Sequence, residues 1–283
     1  MEDPIAIGAN KYPAWDSVNP KEERLNEVLL ARTEGPVRTL LEHLLTDEEI
    51  HMYHSYANAV SVRRLGYNDH GPVHARLVTY NALKILRFMH EHGVETSLEE
   101  EEIAGYEASQ VAVALGAFLH DCGMGVAREH HEWYSLTLGD MFIRRALNHL
   151  YPDDPALRVV VRAMAHEAII GHMAKVRIHS VEAGVVLVAD GTDMSRGRSR
   201  IPQLMETDPV VGDMHRFSAS AISRVDITAG EHKPVRITVS METVTGLFQV
   251  EEILMAKVKA SPIIDCLEIA AIVGEEPPRF YLS

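Results

Sequence analysis

Apolar residues recur every three or four positions from residue 20 to about residue 195, which is the spacing of one buried helix face. Capping signals divide this region into separate helices. Thr46 with Glu49, and Ser97 with Glu100, have the spacing of capping boxes. The predicted helices are Lys21–Arg32, Pro36–Leu45, Thr46–Leu65, Gly71–Glu91, Leu98–Leu119, Glu132–Leu150, Asp154–His166 and His179–Ser195.

The pattern changes near residue 221, where short runs rich in β-branched residues replace the helical spacing. The predicted elements are a strand at Ala221–Thr228, a strand at Val235–Ser240, an amphipathic helix at Leu247–Lys259 and a strand at Cys266–Val273. The predicted fold class is therefore mainly α. A helical domain over residues 1–215 is followed by a small α+β domain of ββαβ order over residues 216–283.

Charge and composition limit the partners that this chain can have. The net charge is −14, from 41 acidic and 27 basic side chains, which argues against binding of nucleic acid or of an anionic membrane. The chain shows neither a signal-peptide pattern nor an apolar run of membrane-spanning length. Its two cysteines do not suggest a disulfide framework. A cytoplasmic protein is expected.

Three predicted helices each present a metal-type ligand from an apolar stretch. The run Val111–Leu119 leads into the pair His120-Asp121, and the run Val185–Ala189 leads into Asp190. His74 lies early in a third helix with core-like neighbours. A buried, unpaired carboxylate is strongly unfavourable, and a divalent cation would remove that penalty. A hydrogen-bonded His–Asp pair or a core histidine explains each feature alone, but the three together favour a metal site.

The order of these residues resembles that of the HD-domain superfamily of metal-dependent phosphohydrolases. The matching segments are GPVHARL with His74, FLHDCGMG with His120 and Asp121, and VLVADGTDM with Asp190. The resemblance extends over about residues 60–200 and departs mildly from the family pattern at Cys122-Gly123. It implies a helical fold and a metal held by these four side chains. It also implies hydrolysis of a phosphate ester or anhydride by a metal-activated water, with Asp121 as the catalytic residue.

Some members of this superfamily bind two metals and have two further histidines between the His-Asp pair and the last aspartate. The resemblance to these members implies a second metal in this chain. His131 and His166 match these positions, whereas His130 and His172 match them less well. Asp121 would then bridge two ions. The alternative is one ion, with His131 and His166 contacting the substrate instead. Imidazole and carboxylate ligands suit Mn, Fe, Co, Ni or Zn, so one or two such ions per chain are expected.

Phosphate groups of a substrate usually need cationic side chains as well as a metal. The candidates are Arg196, Arg198 and Arg200, which follow Asp190 closely, together with Arg128, and more weakly His172 and Arg76. The three clustered arginines could equally complement a helix C-terminus. The stretch from Ser195 to Phe217 is predicted to be either a lid or a linker.

The expected function is hydrolysis of a small phosphorylated substrate, most simply a nucleotide. The alternatives are a metal- and nucleotide-binding regulator without turnover, or a di-iron oxygenase on the same helical scaffold. The Gly-Tyr-Pro motif of cyclic-di-nucleotide phosphodiesterases is absent after the His-Asp pair. A three-stranded sheet leaves open edges and an apolar face, so the C-terminal domain is predicted to form a homo-oligomer or, less simply, to bind a regulatory ligand.

Overall fold

A computed structural model describes residues 19–194 and 214–283 of the chain. The first of these parts is helical, as predicted. Its helices are α1 (Pro20–Ala31), α2 (Gly35–Thr46), α3 (Glu48–Ala59), α4 (Pro72–Glu91), α5 (Ser97–Glu100), α6 (Tyr106–Leu119), α7 (His131–Leu150), α8 (Pro155–Gly171) and α9 (Val181–Thr192). A π-helical turn, Val60–Arg64, extends α3, and a 3₁₀ turn, Cys122–Gly125, follows α6.

Capping side chains set the starts of two helices one residue away from the predicted positions. Asp47, rather than Thr46, caps α3 by accepting a hydrogen bond from a backbone N–H of its first turn. Thr96, rather than Ser97, caps α5, and Glu99 closes the capping box. The predicted capping boxes were therefore wrong in register, although both helices exist.

Two other helices differ from the prediction in length. The predicted helix Leu98–Leu119 is interrupted between α5 and α6, where Glu102 has a left-handed backbone with φ of 54°. In contrast, α8 continues to Gly171 instead of ending at His166. This extension determines which histidine lies at the end of the helix.

The helices α4, α6 and α9 form the centre of the helical part and pack on one another. Nearly every residue of α6 from Ala108 onward is buried, and α9 is buried from Glu182 to Thr192. Burial of one Val or Leu side chain contributes about 1.5–3 kcal/mol, so apolar contacts hold both helices firmly in the interior. The polar residues that follow or end these runs are consequently held in the interior as well.

The second described part begins with α10 (Met214–Ala221) and contains a four-stranded mixed sheet in the order β1-β2-β3-β4. The elements are β1 (Ile222–Ala229), β2 (Val235–Met241), a π-helical turn (Gln249–Leu254), α11 (Met255–Ala260), β3 (Leu267–Val273) and β4 (Arg279–Leu282). β1 and β2 are antiparallel, β2 and β3 are parallel with Val235 opposite Leu267, and β4 is antiparallel to β3.

The fourth strand was not predicted. β4 is only four residues long and has no buried residue, so its sequence carries no alternating pattern. The apolar face of the sheet, with Val235, Ile237 and Val239, belongs to the same core as the helices, and α4 contacts β1 and β2. This face is thus covered within the chain, and among the described strands the open edges are β1 and β4. Homo-oligomer formation stays a prediction.

In the described residues, no helix is both long enough and apolar enough to cross a bilayer.

Candidate metal centre

Six histidine and aspartate side chains converge on one buried point between the helices. Each is fully or almost fully buried. They are His74 in the first turn of α4, His120 and Asp121 directly after α6, His131 at the start of α7, His172 directly after α8, and Asp190 in the last turn of α9. Ligand atoms of overlapping groups of three of these residues lie within 4.8 Å of one another. The cluster could therefore hold a metal ion.

Asp121 lies between two pairs of histidines. Its Oδ2 atom lies 3.2 Å from Nε2 of His74 and 3.3 Å from Nε2 of His120. Its Oδ1 atom lies 3.2 Å from Nε2 of His131 and 3.5 Å from Nε2 of His172. Each carboxylate oxygen thus faces a different histidine pair.

Asp190 joins the first of these pairs. Its Oδ1 atom lies 3.3 Å from Nε2 of His74 and 3.7 Å from Nε2 of His120. The first pair therefore faces two carboxylate oxygens, one from each aspartate.

The outer nitrogen of each of the four imidazoles is held by a hydrogen-bond acceptor. The acceptors are the carbonyl oxygens of Ala117 for His120 (2.8 Å), Arg128 for His131 (2.9 Å) and Ile169 for His172 (2.6 Å), and the Asp193 carboxylate for His74 (2.7 Å). A carbonyl oxygen can only accept, so Nδ1 carries a proton in His120, His131 and His172. In a neutral ring, the Nε2 atom then presents a lone pair towards the cluster.

These lone pairs point at one another across short distances. The Nε2 atoms of His74 and His120 are 3.1 Å apart, and those of His131 and His172 are 3.0 Å apart. When both rings of a pair are neutral, the two lone pairs repel each other at this separation, and a cation between them would remove the repulsion. Imidazole nitrogen together with carboxylate oxygen is a donor set that suits Mn, Fe, Co, Ni or Zn. The residues present therefore fit a metal ion.

The electrostatics of the cluster favour the metal-binding protonation states of Asp121, Asp190 and His172. Burial alone would raise the pKa of Asp121, but His120 and other neighbouring imidazoles hold this pKa well below its usual range. Burial would also raise the pKa of Asp190, but the ammonium of Lys257 and the imidazoles keep it low. Burial lowers the pKa of His172 to about 4. Both carboxylates are thus ionised and His172 is neutral at pH 7.

His120 differs from His172 in its charge state. Burial alone would lower the pKa of His120, but the Asp121 and Asp190 carboxylates beside it raise this pKa to about 9. A proton therefore competes with a metal ion for His120 at neutral pH.

His166 lies outside the cluster, so the structure does not bring it together with the other predicted metal ligands. Its Nε2 atom lies 2.9 Å from Oδ1 of Asp140 on α7, and Arg162 binds the same carboxylate at 2.5 and 2.7 Å. His172, which was predicted as a weak substrate contact, points into the cluster instead. Residues six apart on a helix lie about 240° around its axis, so the two histidines cannot share a face.

Comparison with known proteins finds a relative that matches most of the chain. The uncharacterized protein MJ1020 of Methanocaldococcus jannaschii is 35% identical over 247 residues, which cover 87% of this chain and 93% of the relative. The chain belongs to the family of MJ1020. No family model matches the sequence, and no solved structure matches it significantly.

Replacement of His172 by alanine in this member of the MJ1020 family is expected to remove metal, whereas His166→Ala is expected to leave the metal content unchanged. The reason is that only His172 directs a lone pair into the cluster. Elemental analysis of both variants after purification without chelator checks this prediction. Loss of metal in His166→Ala with full retention in His172→Ala would restore the original assignment.

The arginines predicted to bind phosphate are only partly within the described residues. The Arg128 guanidinium lies 5.3 Å from the ring centroid of Tyr67. The backbone carbonyl oxygen of Arg128 accepts the hydrogen bond from Nδ1 of His131. Arg196, Arg198 and Arg200 lie outside the described residues, as does most of the predicted lid or linker. Arg76 is buried and donates to Asn26 and to the carbonyl oxygen of Pro72, so its role is structural.

Two residues at the centre of this MJ1020 family member were missed from the sequence. Asp193 fixes the ring of His74, and its position three residues after Asp190 was an available signal. Lys257 of α11 forms an ion pair with Oδ2 of Asp190 and donates to the carbonyl oxygen of His172 at 2.9 Å. Lys257 occupies an ordinary position on an amphipathic helix, so nothing in the sequence signalled it.

Proposed function

We propose that this protein is a metal-dependent phosphohydrolase of the HD-domain type. The observation that carries the proposal is Asp121, whose two oxygens face two separate histidine pairs inside a helical core. The chain order of the cluster supports it. A single histidine precedes an adjacent His-Asp pair, two more histidines follow, and an aspartate comes last, each carried by a different helix or helix end. HD-type phosphohydrolases have the same order.

The proposal includes two metal ions rather than one. His74, His120 and Asp190 would hold the first ion together with Oδ2 of Asp121, and His131 and His172 would hold the second together with Oδ1. A carboxylate that offers one oxygen to each of two donor sets suits a bridging ligand. With His172 in place of His166, both histidines of the second set point at Asp121.

The chemistry follows from what each residue does. Divalent cations supply Lewis acidity, which lowers the pKa of water and neutralises phosphoryl oxygens. Asp121 would hold both ions, with one carboxylate oxygen facing each histidine pair. The Nδ1 hydrogen bonds of the four histidines keep their rings from rotating, so the donor atoms are preorganised. Burial of all six side chains strengthens the electrostatic interactions within the site.

The proposed substrate is a nucleotide phosphodiester or pyrophosphate. Two ions about one carboxylate suit in-line displacement, in which the attacking and leaving oxygens are stabilised together. Near the second histidine pair, three residues before His131, Arg128 lies over Tyr67, which is 46% exposed. The guanidinium suits a phosphate group, and the partly exposed tyrosine beside it suits a nucleobase.

The test combines metal analysis with a hydrolysis screen on one preparation. Protein purified without chelator is expected to contain about two transition-metal ions per chain and to hydrolyse bis(p-nitrophenyl) phosphate or dinucleoside pyrophosphates. If the protein contains metal but hydrolyses no phosphodiester, pyrophosphate or mononucleotide, it would be a metal-binding protein and not an enzyme of this type. An iron-dependent visible absorption band together with oxygen uptake would indicate an oxygenase instead of a phosphohydrolase. Absence of metal after reconstitution would reject the metal centre itself.

A further inference from the structure

Lys257 brings the C-terminal α+β part of the chain into the metal centre. Its side chain is only 12% exposed, and its ammonium lies against Oδ2 of Asp190, whose side chain is 8% exposed. The same ammonium donates to the carbonyl oxygen of His172 at 2.9 Å. One side chain from α11 therefore contacts two residues of the cluster, although it is distant from both in sequence.

Two glycines on α9 make this contact geometrically possible. Gly184 and Gly191 are seven residues apart and lie on the same helix face. A Cβ atom at Gly184 would lie 2.8 Å from Oγ of Ser261, and one at Gly191 would lie 3.2 Å from Cδ of Lys257. The Oγ atom of Ser261 donates to the carbonyl oxygen of Gly184 at 3.2 Å. The glycine face thus lets α11 approach α9 closely enough for Lys257 to reach Asp190.

The ion pair divides the two oxygens of Asp190 between two partners. Oδ1 faces His74 and His120, and Oδ2 faces the ammonium. An ammonium on the far oxygen draws negative charge away from the oxygen that faces the histidines. It also adds a positive charge at the centre of a chain whose net charge is −14, where an anionic substrate must bind.

We propose that Lys257 is a positioning residue that weakens Asp190 as a metal ligand and thereby raises the Lewis acidity of the centre. The C-terminal α+β part is then an integral component of the active site and not only an appendage. The effect of Lys257 on catalysis rests on the proposed phosphohydrolase function, whereas its effect on metal affinity does not.

In a variant without the ammonium, metal affinity and kcat are expected to change in opposite directions. Lys257→Met keeps the length of the side chain but removes its charge. The affinity for Zn²⁺ alone, measured by competition with a chelator, is expected to rise roughly 10- to 100-fold, while kcat is expected to fall by a similar factor. A residue that merely supports the fold would lower the melting temperature, the metal affinity and kcat together. Lys257→Arg keeps the charge, so its Zn²⁺ affinity and its kcat are expected to remain close to those of the wild type.

Lys259→Met is the matched control, because Lys259 lies on the exposed side of the same helix. It is expected to change neither Zn²⁺ affinity nor kcat. Identical behaviour of Lys257→Met and Lys259→Met would overturn the inference, and so would a parallel loss of affinity and kcat in Lys257→Met. If Lys257→Met fails to fold, Lys257→Gln provides the same comparison with a polar side chain. Tighter Zn²⁺ binding by a protein without hydrolase activity would support the inference while rejecting the proposed function.

Discussion

Replacement of Asp121 by asparagine is expected to reduce kcat/KM for the phosphodiester or pyrophosphate substrate by roughly 10²- to 10⁴-fold. The carboxamide has the same shape as the carboxylate but no charge. Its NH₂ group would also face one of the two histidine pairs as a donor, where an oxygen now lies at 3.2–3.5 Å. Loss of a buried charged partner removes about 3–5 kcal/mol of electrostatic stabilisation, and each 1.36 kcal/mol corresponds to a tenfold change in rate.

Steady-state kinetics and metal analysis of the same preparation measure this effect. The metal content is expected to fall along with kcat/KM, because one histidine pair loses its anionic oxygen. Asp140→Asn is the matched control. Asp140 also contacts a histidine, His166, but it lies outside the cluster, so activity and metal content should remain close to wild type. An Asp121→Asn enzyme with wild-type activity would contradict the bridging role.

Removal of bound metal by a chelator is expected to lower the melting temperature by roughly 10 °C. Without a cation, the Nε2 atoms of His131 and His172 face each other at 3.0 Å, and two ionised carboxylates remain buried beside them. An ion present at about 1,000 times its dissociation constant contributes about 4 kcal/mol to the free energy of unfolding. For a domain of this size, each kcal/mol raises the melting temperature by about 2–4 °C.

Calorimetry with and without chelator, followed by readdition of Zn²⁺ or Mn²⁺, tests this expectation. Readdition should restore the melting temperature. The Asp121→Asn variant should start from a lower value and respond less to the chelator, because it binds less metal. Equal melting temperatures for the metal-loaded and metal-free wild type would show that the cluster is stable without a cation. That result would count against a metal centre at this position.

The sequence by itself determined the helical class and the core of the candidate site. The apolar runs Val111–Leu119 and Val185–Ala189 predict helices buried on all sides, and both are buried in the structure. A side chain at the end of such a helix is buried as well, so His120, Asp121 and Asp190 could be identified from local pattern alone. The resemblance added His131, which opens α7 as predicted.

Only the tertiary structure decided which further side chains reach the centre. The choice between His172 and His166 depended on where α8 ends, because six residues turn a side chain to another face of the helix. Lys257 reaches Asp190 because Gly184 and Gly191 let α11 pack closely on α9. Local sequence patterns report the burial and periodicity of one element. The distance between two elements depends on side chains that are far apart in the chain, so a local sequence pattern does not predict it.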